Sequence, residues 1–97
     1  MNQQQMMKLR KMQKQMMEAQ ERLQETVFTG TAGGGVVKVE VKGSHEVVSV
    51  KIDEEAIKDD LEMVQDMIVL ALNDAMKKID QESQKLLGGF GGMGFGF

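Results

Sequence analysis

Residues 30–53 read GTAGGGVVKVEVKGSHEVVSVKID, and this stretch decides the fold. Val37, Val39 and Val41 alternate with Lys38, Glu40 and Lys42, a period of two. Gly43 and Ser44 interrupt the run, and Val48, Val50 and Ile52 resume it. Such alternation gives a strand one apolar face and one wet face. The short connection from Gly43 to Glu46 suits an antiparallel hairpin. Upstream, residues 26–32 are rich in Thr, Val and Phe, and Gly33-Gly34-Gly35 separates them from the valines. The expectation is a three-strand antiparallel meander whose single dry face must be covered by the sequence on either side.

On the N-terminal side, residues 2–25 contain no Gly or Pro and are dense in Gln, Lys, Glu and Met, all good helix formers. Leu9, Met12, Met16, Ala19 and Leu23 follow a 3-4-3-4 spacing, a heptad seam. A helix of this size is roughly 35 Å long, more than a three-strand sheet is wide, so part of it projects or packs on another chain. Arg10, Lys11 and Lys14 fall opposite the seam.

On the C-terminal side, residues 53–57 predict a turn or short helix. Asp59 with Glu62 three residues on predicts an N-cap and capping box. A long helix over residues 60–85 then lines up Leu61, Val64, Ile68, Leu72, Ala75 and Ile79 as the cover for the sheet. Met67 to Leu72 is apolar all the way round, however, and Met63, Met67 and Leu70 point away from that stripe. One sheet dries only one side of a helix, so the remaining apolar surface calls for a second copy of the chain, most simply a two-fold dimer. The competing arrangement folds the N-terminal helix back over this face, but that helix has only a narrow seam to offer. Gly88 and Gly89 are expected to stop the helix, leaving residues 88–97, GGFGGMGFGF, as a disordered tail after a single domain over residues 1–87.

With 97 residues, four Phe and neither Trp nor Tyr, the chain builds only a modest core. It has no Cys, which removes disulfides, thiolate metal sites and thiol nucleophiles. The N-terminus lacks the apolar segment of a secretory signal, and no run approaches the ~20 apolar residues of a membrane span. The net charge of −3 is unevenly spread. Residues 1–24 hold Lys8, Arg10, Lys11, Lys14 and Arg22 against Glu18 and Glu21, a balance of +3. Residues 53–66 hold seven acids against Lys58, a balance of −6. Those acids suit helix N-termini, and they lack the alternation and central Gly of a calcium loop.

Catalytic and nucleotide motifs fail on inspection. Gly30 and Gly35 have P-loop spacing, but Val36 and Val37 stand where Lys and Ser or Thr are required. The GxGxxG text at Gly89–Gly94 follows a helix and lacks its strand-turn-helix context. The only histidine, His45, sits in a hairpin with no acid at fixed spacing. The expectation is a non-enzymatic protein with no cofactor, no metal and no small-molecule substrate.

The pieces GTAGGGVVKV, VVSVKID and LEMVQDMIVLALNDAMKK, with Ile52-Asp53 and Asn73-Asp74-Ala75 inside them, resemble the YbaB/EbfC family over about residues 6–86. These are bacterial nucleoid-associated DNA-binding proteins. The resemblance implies an α+β fold with an α–β–β–β–α protomer. It also implies a tight homodimer with helices projecting like tweezer arms, and a cytoplasmic, nucleoid-associated role coating double-stranded DNA with little sequence preference. Glu54 departs from the family, which often has Pro after Ile-Asp, and the tail is not a typical family ending. Joined to the charge pattern, the resemblance points to Lys8, Arg10, Lys11 and Lys14 as phosphate contacts, extended by Lys77, Lys78 and Lys85. Met63, Met67, Ile68, Leu70 and Ala71 are the expected dimer contacts. The alternative is a homodimeric module for protein partners, using the seam, the methionines and the tail phenylalanines.

Overall fold

The computed structural model describes residues 2–91, with side chains up to residue 89. Its order is α1 (Gln3–Glu25), β1 (Val27–Ala32), a 3-10 turn (Gly33–Gly35), β2 (Val37–Lys42), β3 (Val47–Ile52), α2 (Glu54–Asp59) and α3 (Leu61–Gly91). The three strands form one antiparallel sheet in the order β1-β2-β3. This is the expected α+β meander with a long helix on each side; the short α2 is the turn segment after Ile52.

The period-two reading holds most firmly in β2. Val37, Val39 and Val41 are fully buried and meet Val64, Ala71, Ala75 and Ile79 of α3. Burying each valine stabilises the fold by about 1.5–3 kcal/mol relative to exposure. Gly30 in β1 lets the helix come close, since a Cβ there would overlap the Ala71 carbonyl and lie 2.7 Å from the Ala75 nitrogen. The Gly33–Gly35 turn has positive φ at all three residues, which explains why no side chain stands there.

The register of β3 differs from simple alternation. Val37 faces Ile52, Val39 faces Val50 and Glu40 faces Ser49, but Val41 faces Val47. The shift between Glu40 and Val41 leaves Val48 as the extra residue of a bulge. His45, with φ 73°, turns the hairpin and donates its N–H to the Lys42 carbonyl at 2.8 Å.

Helix boundaries follow local chemistry. Asn2 caps α1, its Oδ1 accepting from the Gln5 N–H at 2.8 Å. The cap of α3 is Asp60, not Asp59: Asp60 Oδ1 accepts from the Met63 N–H at 3.1 Å, because Asp59 is still the last residue of α2. Asp53 caps α2 through the Glu55 N–H at 3.2 Å. Gly88 and Gly89 do not stop α3, which runs on to Gly91. The roles suggested for Phe90, Met93, Phe95 and Phe97 concern side chains outside the described residues.

Along α3 the neighbours run Leu86 beside Leu23, Ala75 and Ala71 beside Gly30, and Met67 beside Gly33. Thus α1 and β1 lie one after the other, both antiparallel to α3, and the molecule extends over 68 × 20 × 15 Å. Helix α3 packs over β1 and β2 and leaves β3 to one side. Two expectations change as a result. Ala71 belongs to the core of its own protomer, fully buried against β1, and has no surface left for a partner. Leu61 lies outside the covering stripe and is mostly exposed.

Candidate nucleic-acid interface

The heptad seam of α1 is real and has an intramolecular partner over part of its length. Met12, Met16, Ala19 and Leu23 are half-buried, with Ala19 and Leu23 lining grooves shared with Ser83 and Leu86 of α3. Residues 2–11, Leu9 included, are all exposed. The N-terminal part of α1 is therefore an arm, and it carries Lys8, Arg10, Lys11 and, one turn on, exposed Lys14. None of these four is within ion-pair distance of a carboxylate among the described residues. Arg10 lines a hollow with Gln3, Met6 and Met7.

The lysines of α3 are placed differently. Lys77 is exposed and outside the ion pairs of the described residues. Lys78 donates from Nζ to the Thr29 carbonyl at 2.7 Å and sits 3.5 Å from Asp74 Oδ2. The same Asp74 oxygen accepts from the Thr31 N–H at 3.1 Å. Together these two side chains occupy hydrogen-bonding groups on the free edge of β1, so Lys78 is a strap between helix and strand and not a free cation. Closed edges of this kind resist strand addition. Lys85 is exposed and reaches Glu82 at 3.3 Å, a weak surface pair that a phosphate can replace.

The acidic segment is also accounted for locally. Glu54 and Glu55 lie in the first turn of α2 and Glu62 in the first turn of α3, while Asp53 and Asp60 are the caps. Negative groups at helix N-termini are stabilised by the helix dipole. Among the described residues no group of three His, Asp or Glu side chains is arranged to hold a metal, and no helix is long and apolar enough to cross a membrane.

The expected dimer residues divide. Leu70 and Met63 are exposed, 60% and 42%, and exposed Val69 lies beside Leu70. Met67 and Ile68 are half-buried and pack against the core, Met67 reaching over Gly33. Sequence reasoning missed a second apolar surface. Val50 shares the inward face with Val39, yet remains 44% exposed because α3 does not reach β3, and Val47 and Val48 are similarly open. The alternation marked Val48 and Val50 as inward-facing, whereas the bulge sets Val47 opposite Val41 in place of Val48; nor could it show that one helix covers two strands of three.

A model of the YbaB/EbfC DNA-binding family matches residues 1–94. A nucleoid-associated protein of Lachnospira eligens is 51% identical over 79% of this chain and 71% of its own length. One from Chloroflexus aurantiacus is 43% identical over 96% of this chain and 99% of its own. Among solved structures, an uncharacterised protein of Helicobacter pylori, HP0035, superposes with a TM-score of 0.74 at 30% identity, covering 93% of this chain and 97% of that one. With nearly the whole chain matched by the family model and the same fold in a solved relative, the protein belongs to the YbaB/EbfC DNA-binding family.

Proposed function

We propose that this protein is a nucleoid-associated protein of the bacterial cytoplasm that binds double-stranded DNA as a homodimer. It grips mainly backbone phosphates and thereby alters DNA conformation, nucleoid organisation or gene expression. The observation that carries the reading is the exposed α1 arm, whose Lys8, Arg10, Lys11 and Lys14 have no carboxylate partner among the described residues of an acidic protein. Family membership and the names of the relatives support the same reading. The arm presents no aromatic platform, so contacts to phosphate dominate over reading of base edges. A dimer presents the arm twice.

Binding through phosphates releases counterions, so log affinity falls linearly with log salt by about 0.9 per phosphate contacted. Three basic side chains on each of two protomers give a slope of roughly five. Changing Arg10, Lys11 and Lys14 together to Gln keeps helix propensity and the seam while removing the charge. The expected outcome is weaker binding to all duplex sequences and a flatter salt dependence, read by fluorescence polarisation across a salt series. Unchanged affinity and slope would reduce the basic face to solvated surface. A parent protein that retains no duplex at low salt would instead favour the protein-partner module, for which Met6, Met7 and Met17 offer exposed, adaptable surface.

A further inference from the structure

The outer face of the sheet holds a charge arrangement that the α1 arm does not explain. Lys38 of β2 and Lys51 of β3 are direct cross-strand partners, and both are exposed. They lie on the face opposite buried Val37 and Val39, because strand side chains alternate. Like charges placed directly opposite destabilise a sheet. The nearby Lys42 shows the usual remedy, pairing with Glu25 and Glu46 at 3.8 and 3.7 Å. Lys38 and Lys51 have no such partner among the described residues. Together they line an open hollow with Gly35, Val36, Ile52 and Asp53. Asp53 lines the same hollow and keeps its charge while its Oδ1 accepts from the Glu55 N–H, and Glu40 Oε1 accepts from the Ser49 hydroxyl at 3.1 Å, but neither acid forms an ion pair with Lys38 or Lys51. Thr31, facing Lys38 from β1, places a hydroxyl-bearing residue on the same row.

We propose that Lys38 and Lys51 form a second phosphate-binding site, through which the open face of the sheet grips the backbone of the duplex held by α1. The inference rests on the reading of the protein as a duplex-DNA binder. The two free oxygens of one backbone phosphodiester can accept from both ammonium groups at once, and its single negative charge, placed between them, offsets their mutual repulsion. Asp53 and the first turn of α2 adjoin the hollow and oppose an anion there, an effect set against the two unpaired lysines, while the more distant acids are screened at physiological salt over about 8 Å. Position gives the site a use. Leu86-to-Met67 along α3 is about 28 Å, and Arg10 lies about 20 Å beyond Leu23 on α1. The two basic groups thus stand at opposite ends of the rod, further apart than one duplex turn of ~34 Å.

The test compares the parent, Lys38→Gln/Lys51→Gln, Lys38→Glu and Lys58→Gln on a labelled 40-base-pair duplex over a salt series, with thermal melts of each protein. The double Gln variant is expected to lose tenfold or more in affinity at moderate salt. Its salt slope should fall by about 0.9 for every phosphate contact removed. Lys38→Glu creates a cross-strand ion pair with Lys51, so its melting temperature holds or rises while its affinity falls by a comparable factor, since both variants take the pair from +2 to zero. Lys58→Gln removes a charge from the Glu55 pair on α2 and should leave the slope unchanged. Parent-like affinity and slope in both Lys38 variants, with the α1 triple variant impaired, overturns this site alone. An equal loss in Lys58→Gln overturns it in favour of a general effect of net charge. A parent that binds no duplex overturns this site together with the proposed function.

Discussion

At the residue scale, the positions with the least side chain fix the most geometry. Gly30 lets β1 lie against α3 at backbone distance, and Ala71 and Ala75 are the small residues that meet it. The neighbours of a new Cβ would be a helix carbonyl and nitrogen, which cannot swing aside as a flexible side chain would. Gly30→Ala is therefore expected to cost about 1–3 kcal/mol, the usual range for overpacking a well-packed core. Urea denaturation should show a lower midpoint with an unchanged slope. Gly34→Ala makes the contrast, because φ is +69° there but no atom lies within 4 Å of the added carbon. Its loss should be only the backbone strain, on the order of 1 kcal/mol. Equal losses at the two positions would show that close approach at Gly30 is not what holds the helix to the sheet.

At the element scale, what the sequence disclosed follows how local each signal was. The period of two in Val37–Val41, the heptad spacing of Met12–Leu23 and the glycine triplet are properties of a few neighbours, and each appears where expected. The bulge at Val48 is not local, since it depends on how β3 pairs across a hairpin turned by His45. Nor could spacing reveal that Lys78 spends its charge on the Thr29 carbonyl, which is forty-nine residues away in the chain. The end of α3 shows propensity overridden. Glycine costs about 0.5–1 kcal/mol relative to alanine inside a helix, yet Gly88 and Gly89 remain helical with open space around them. Gly88→Ala/Gly89→Ala should consequently stabilise the C-terminal turns and raise the melting temperature by a few degrees. If Gly88 instead ends the helix in solution with positive φ, the same substitutions would lower it. Removing residues 88–97 should leave the melting temperature within a few degrees of the parent, because Leu86 and Leu87, which reach α1, are retained.

At the scale of the whole molecule, the protomer is a rod with one side unfinished. The α1 helix had been the rival cover for the outer face of α3, but it meets α3 near Ser83–Leu87, beyond the sheet, and Val69 and Leu70 remain more than half exposed. Val47, Val48 and Val50 of β3 are open as well, whereas the edge of β1 is strapped by Asp74 and Lys78. These apolar surfaces favour association of two copies through α3 and β3, which would also complete the small core. Leu70→Asp tests this cleanly. In the protomer alone the new carboxylate keeps its water and should disturb the fold little, since Leu70 contributes nothing to the buried cluster. In a dimer that covers Leu70, the same carboxylate loses its water at a cost of several kcal/mol unless it is paired. Sedimentation at several micromolar concentrations should find the parent as a dimer and Leu70→Asp as a monomer that retains its helix content by circular dichroism. A variant that remains dimeric would move the interface away from α3 and leave β3 as the surface to examine by Val50→Asp. A parent that sediments only as a monomer would remove the second copy of the α1 arm, and the salt slope on duplex DNA should then be about half the value expected for two.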